Sequence, residues 1–231
     1  MWTETLSDDE TVLAKKLVVS VVKQLSLGIK NKGKACLAVS GGTTPVIFFQ
    51  QLSEQDLDWS KVTVILVDER WLPISDAESN EKLVRDHLLK NKAKQAYFLG
   101  LKNAAQLPSE GIMDCETQLR TQVEHLDVVV LGMGQDGHTA SWFAGSEQLL
   151  ALLDSETSAW CLPVEDAFLA QARMSLTWRF IKRAEKMYLH FTGDKKNQVF
   201  TKACQGITEQ LPVSHILHQD GINVSVYRTQ S

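Results

Sequence analysis

The stretch ACLAVSGGTTPVIFFQQL, residues 35–52, decides the fold. Ala35 to Val39 form a short unbroken apolar run, the pattern of a parallel strand buried on both faces. Ser40 to Thr44 follow as a glycine-rich turn, and Pro45 suits the first position of a helix, where its missing N–H costs nothing. Val46 to Leu52 continue with helical character. Strand, glycine loop and helix in that order make the repeating unit of a parallel α/β sheet.

Upstream, Ser7 and Glu10 have capping-box spacing, and Leu13, Leu17, Val21 and Leu25 recur at steps of four, which predicts an amphipathic helix that breaks near Asn31 and Gly33. Downstream, the punctuation of residues 35–45 returns. Val62 to Val67 read as a strand ending in Asp68-Glu69-Arg70, and Asp127 to Leu131 as another ending in Gly132-Met133-Gly134. Residues 78–90 and 114–126 are the helical candidates between them, with a short strand over Ala96 to Leu99. Beyond residue 155 strands are expected at Trp160–Val164, Arg173–Trp178, Met187–Phe191, Val213–Leu217 and Ile222–Tyr227, with a helix over Asp194–Cys204. The expected fold is α/β: a doubly wound, mainly parallel sheet with helices on both faces, Rossmann-like, with extra strands in the C-terminal third. A single domain over residues 1–231 is expected.

Composition removes whole classes of function. Of 231 residues, 44% are hydrophobic and 23% charged, which argues against collagen-like, low-complexity and disordered chains. Lys plus Arg number 24 against 28 Asp plus Glu, so there is no basic excess to neutralise a nucleic-acid backbone. No apolar run approaches the roughly 18 residues of a membrane span, and the acidic opening MWTETLSDDE is unlike a signal peptide, so no membrane partner and a cytoplasmic location are expected. Cys36, Cys115, Cys161 and Cys204 show neither CxxC nor zinc spacing and read as reduced, mostly buried thiols.

Ligands of open α/β sheets bind beyond the carboxyl ends of the strands, which directs attention to the loops after residues 39, 67 and 131. The first loop, Ser40 to Pro45, offers backbone N–H groups, hydroxyls and a helix N-terminus, suited to a phosphate; the alternative is a plain tight turn. It lacks the Gly-Lys-Ser/Thr of a nucleotide P-loop. The third loop, Gly132 to Gly137, matches GxGxxG, yet Asp136 would put a carboxylate inside the pyrophosphate cradle and no ribose-binding acid follows about 20 residues on, which argues against a dinucleotide. What it offers instead is Asp136-Gly137-His138, a titratable pair on a sharp turn. Either the histidine takes a proton from water while the carboxylate holds its ring, or Asp136 caps a helix that His138 packs upon.

Taken in order, Ser40–Pro45, Asp68-Glu69-Arg70 with Pro73 and Ser79-Asn80, the block Leu131–Ser141, Arg173–Thr177 and Gly193–Lys196 resemble the motifs of the 6-phosphogluconolactonase family, from about residue 7 to the C-terminus. The resemblance implies the sugar-phosphate isomerase type of the fold and hydrolysis of 6-phosphoglucono-δ-lactone without metal or organic cofactor. It implies His138 as general base with Asp136 supporting it. Gly41, Gly42, Thr43, Arg70 and Lys196 would hold the phosphate, and Arg173 would be a further substrate contact. Asp68 would either bond sugar hydroxyls or fix Arg70. The implied partner is the small sugar-phosphate lactone, with the chain a monomer or weak homo-oligomer. Two departures stand out: Trp142-Phe143-Ala144 where the family has Leu-Phe-Pro, expected to reshape the pocket wall, and Trp178-Arg179 where small or apolar residues are usual. His87, His125, His190, His215 and His218 have no motif context and read as surface or packing residues. The competing readings are a glucosamine-6-phosphate deaminase, which would need a glutamate where Phe143 stands and an aromatic residue where Arg70 stands, and a non-catalytic sugar-phosphate sensor.

Overall fold

A computed structural model describes residues 2–230. In chain order the elements are β1 Trp2–Ser7, α1 Glu10–Lys32, β2 Ala35–Val39, α2 Pro45–Ser53, β3 Val62–Leu66, β4 Asp68–Arg70, α3 Asn80–His87, β5 Tyr97–Leu99, α4 Pro108–Gln122, β6 Leu126–Leu131, α5 Leu149–Leu153, β7 Cys161–Val164, β8 Arg173–Leu176, α6 Trp178–Ile181, β9 Ala184–Phe191, α7 Asp194–Ala203, α8 Val213–Leu217 and β10 Val224–Thr229. No helix among the described residues is long and apolar enough to cross a membrane.

Seven strands form one parallel sheet in the order β1-β10-β9-β6-β2-β3-β5. Every residue of β2 and β6 is buried, as their unbroken apolar runs require. From β2 the chain moves outward to β3 and β5, then returns to place β6 on the other side of β2, so the strand order reverses between β2 and β6. That reversal opens a crevice at the carboxyl ends of these two strands, the place where such sheets bind ligands. The two loops are pinned together there: Ser40 N donates to Val130 O at 3.0 Å, and Gly132 N donates to Ser40 Oγ at 3.0 Å. A second, antiparallel sheet of order β4-β8-β7 rises from the end of β3.

Several expectations need correction. The helix α1 is capped by Asp9, whose Oδ1 accepts from Thr11 N at 2.6 Å and Val12 N at 3.2 Å. Ser7 is unavailable as the cap because it ends β1, a strand not anticipated from the sequence, in register with Thr229 of β10. Val213–Leu217, read as a strand, is the helical turn α8: Pro212 precedes it, His218 N donates to Ser214 O, and β10 occupies the sheet position beside β9. Short apolar runs do not distinguish strand from buried helix. The strand read over Arg173–Trp178 stops at Leu176, since Thr177 Oγ1 accepts from Phe180 N and opens α6. The helices expected at 78–90 and 114–126 lie at Asn80–His87 and Pro108–Gln122.

Candidate active site

A cavity of about 340 Å³ occupies the crevice. Of the residues singled out in the sequence, Gly41, Gly42, Thr43, Asp68, Arg70, His138, Arg173 and Lys196 all line it. Asp136 does not, and reaches the site only through His138.

The glycine loop approaches closely because side chains are missing from it. A methyl group on Gly41 would stand 1.9 Å from Asn80 Oδ1, and Gly42 has φ of 93°, a left-handed conformation natural to glycine. Asn80, at the start of α3, donates through Nδ2 to Asp68 O at 2.9 Å and so ties the loop to β4. Buried Glu69 organises the same corner, accepting from Arg70 N, Asn80 N and Glu81 N at 2.7–2.8 Å. Burial, outweighing those N–H donors, pushes its carboxyl up to about 6.

Arg70 and Arg173 sit directly opposite each other on β4 and β8, which puts two cations on one face. The Arg70 guanidinium donates through Nη1 to Glu78 O at 2.6 Å. Arg173 Nη1 lies 3.7 Å from Asp68 Oδ2, while its Nε is buried without a partner. Burial draws Arg173 below the ordinary arginine value, with the Asp68 charge acting against that shift. Asp68 therefore serves Arg173 rather than Arg70, and its Oδ2 also accepts from Ser141 Oγ at 2.6 Å. Lys196, on α7, reaches across to Thr44 Oγ1 at 3.2 Å, and burial lowers its ammonium below the ordinary lysine value.

At the third loop, Gly137 turns with φ of 82° and brings Asp136 Oδ1 to 2.5 Å from His138 Nδ1. Partial burial pushes the Asp136 carboxyl upward, but the hydrogen bond and charge of His138 prevail and hold it near 2. A carboxylate can only accept, so Nδ1 must be the donor, and the neutral ring then keeps its lone pair on Nε2. The pair exists because Gly134 leaves room: a methyl group there would lie 2.2 Å from His138 Nδ1 and 2.4 Å from Asp136 Oδ1. The capping alternative for Asp136 is partly realised, since Oδ1 also accepts from His138 N at 3.2 Å, but no helix follows. Ala140, with φ of 48°, holds the next turn of the cavity wall in a conformation unusual for a side-chain-bearing residue.

Phe143 joins the two halves of the site. Its ring lies 4.6 Å from that of His138, and the Arg173 guanidinium lies over it at 5.1 Å from the centroid. Two residues of the site escaped the sequence reading: Asn80, quoted only as a motif residue, and His190, taken as packing but in fact lining the cavity. Asn80 carries a motif signal but no assigned role, and His190 has no local signal, because its neighbours Phe48 and Tyr227 come from a helix and a strand far away in sequence.

Comparison with known proteins identifies the family. The model of the family described as glucosamine-6-phosphate isomerases/6-phosphogluconolactonase matches residues 8–225. A 6-phosphogluconolactonase of Rhizobium meliloti (strain 1021) is 38% identical over 221 residues, covering 95% of each chain, and one of Mesorhizobium japonicum is 43% identical over 195 residues, 84% of this chain and 82% of that one. The crystal structure of a 6-phosphogluconolactonase from Shewanella baltica superposes with a TM-score of 0.94 at 36% identity, over 99% of this chain and 98% of that one. On this match over nearly its whole length, the chain belongs to the glucosamine-6-phosphate isomerase/6-phosphogluconolactonase family.

Proposed function

We propose that the chain hydrolyses 6-phosphoglucono-δ-lactone to 6-phosphogluconate, a step of the oxidative pentose phosphate route and the activity that its relatives are named for. The observation that carries this reading is the Asp136–His138 pair at the wall of a cavity that also holds Arg70, Arg173 and Lys196. The one cavity offers a base together with positive charge and backbone donors, matching an ester carbonyl and a phosphate on one small molecule.

In this mechanism Nε2 of His138 takes a proton from water as the water oxygen bonds to the lactone carbonyl carbon. The tetrahedral intermediate collapses by breaking the bond between that carbon and the ring oxygen, and the imidazolium returns the proton to the departing oxygen. Asp136, ionised throughout, stabilises the imidazolium and fixes the tautomer. The glycine loop with Arg70 and Lys196 holds the phosphate, and Arg173 contacts the sugar or phosphate.

The deaminase reading loses support at Phe143, which is 7% exposed and packs on His138, leaving no carboxylate where that chemistry would need one. Purified protein added to fresh 6-phosphogluconolactone, with 6-phosphogluconate dehydrogenase reporting product, should exceed spontaneous hydrolysis. It should release no ammonia from glucosamine 6-phosphate. A rate equal to spontaneous ring opening would refute the lactonase, and robust ammonia release would put the deaminase in its place.

A further inference from the structure

His190 is a cavity residue to which the proposed mechanism gives no task. It lies one residue from the end of β9, paired with Tyr227 of β10, and is only 4% exposed. Its ring meets Phe48 of α2 edge to face, with centroids 6.2 Å apart, so it sits beside the helix that the glycine loop opens. It lines the same cavity as Lys196 and Thr44.

A buried imidazole ordinarily spends its nitrogens on hydrogen bonds within the protein, because leaving them unpaired is costly. Among the described residues His190 makes no such bond, in contrast to His218, whose Nε2 lies 3.0 Å from Ala203 O. Nor are its nitrogens sealed in the core, as His215 Nε2 is. The residue lines the cavity, where a ligand atom could meet them. Burial, reinforced by the Lys196 charge, lowers the ring to about 4, so it presents one N–H donor and one acceptor rather than a cation.

We propose that His190 is a ligand-binding residue of the anion end of the cavity, donating a hydrogen bond to a phosphoryl oxygen beside Lys196. The inference rests on the reading of the cavity as a sugar-phosphate site. It adds a donor to that end without adding charge, so a dianion meets directional hydrogen bonding beyond the attraction of the cations already present.

The test needs no turnover. In a protein labelled with ¹⁵N at histidine, the His190 ring resonances, assigned by their loss in His190→Gln, should shift and saturate as inorganic phosphate is added. The phosphate dissociation constant should rise about ten- to a hundred-fold in His190→Leu, with partial recovery in His190→Gln, which keeps a donor. Saturable phosphate binding that leaves the His190 resonances unmoved, or unchanged affinity in His190→Leu, would overturn the proposal while sparing the sugar-phosphate reading. Failure of the folded wild-type protein to bind either phosphate or 6-phosphogluconate would overturn both. Should His190→Leu not fold, the wild-type titration decides alone.

Discussion

His138 is defined by three neighbours: Asp136 fixes its tautomer, Phe143 packs against its ring, and Gly134 leaves space for the pair. If the pair is the catalytic base, His138→Gln should lower kcat by about 10²–10⁴-fold with little change in the thermal unfolding midpoint. Gly134→Ala should imitate it without touching either titratable group, because the new methyl group forces the pair apart, and a displacement on the order of 1 Å can cost about 10²-fold. Steady-state kinetics on the two variants check both expectations. Wild-type kcat in either one would mean that the base lies elsewhere. Asp136 is held near 2 and stays ionised at any working pH, so an acid limb in the activity profile cannot come from it. The Asp136–His138 pair was legible in the sequence because two residues of spacing across a glycine force proximity. The contact of Phe143 with Arg173 was not, since it joins segments 30 residues apart in sequence through a tertiary fold.

Between elements, the two segments read from the sequence as departures from the family pattern touch through Trp142 and Trp178. Trp142 is fully buried, donates through Nε1 to Leu176 O at 2.9 Å, and meets Trp178 edge to face with centroids 6.4 Å apart at 89°. It is not among the residues that line the cavity. A double-mutant cycle with Trp142→Leu and Trp178→Leu, measured by urea unfolding, should give a coupling of about 0.5–1.5 kcal/mol. Additive effects would show that the two indoles vary independently. The central elements were legible because strands buried on both faces have unbroken apolar runs, as β2 and β6 do. At the margins that signal fails. Trp2–Ser7 alternates weakly and becomes an edge strand only through pairing with β10, while the apolar run at Val213–Leu217 becomes helix because the sheet has no place left beside β9.

At the scale of the whole molecule, the fold gathers residues from five separated motifs at one strand-order reversal, and burial there has a cost in stability. His190 titrates near 4 in the folded protein against an ordinary 6.5, so below about pH 6.5 the unfolded chain takes up a proton that the folded one refuses. Stability is therefore lost as pH falls through this window, by about 2 kcal/mol between about pH 7 and pH 5 at roughly 1.4 kcal/mol per pH unit. Glu69, raised to about 6, acts in the opposite direction over the same window, so the His190 contribution is read as a difference: the change in urea-unfolding free energy from pH 7 to pH 5 should be less favourable in the wild type than in His190→Leu by about 2 kcal/mol, and equal changes would mean that the ring is protonated when folded. The central claim is that base and anion site act on one substrate, and the most direct measurement is kcat/KM for 6-phosphogluconolactone against unphosphorylated glucono-δ-lactone. Charge-assisted contacts from Arg70, Lys196 and the glycine loop, at roughly 1.5–3 kcal/mol each and not fully additive, should favour the phosphorylated lactone by at least about 10²-fold. Equal efficiency on the two lactones would contradict it.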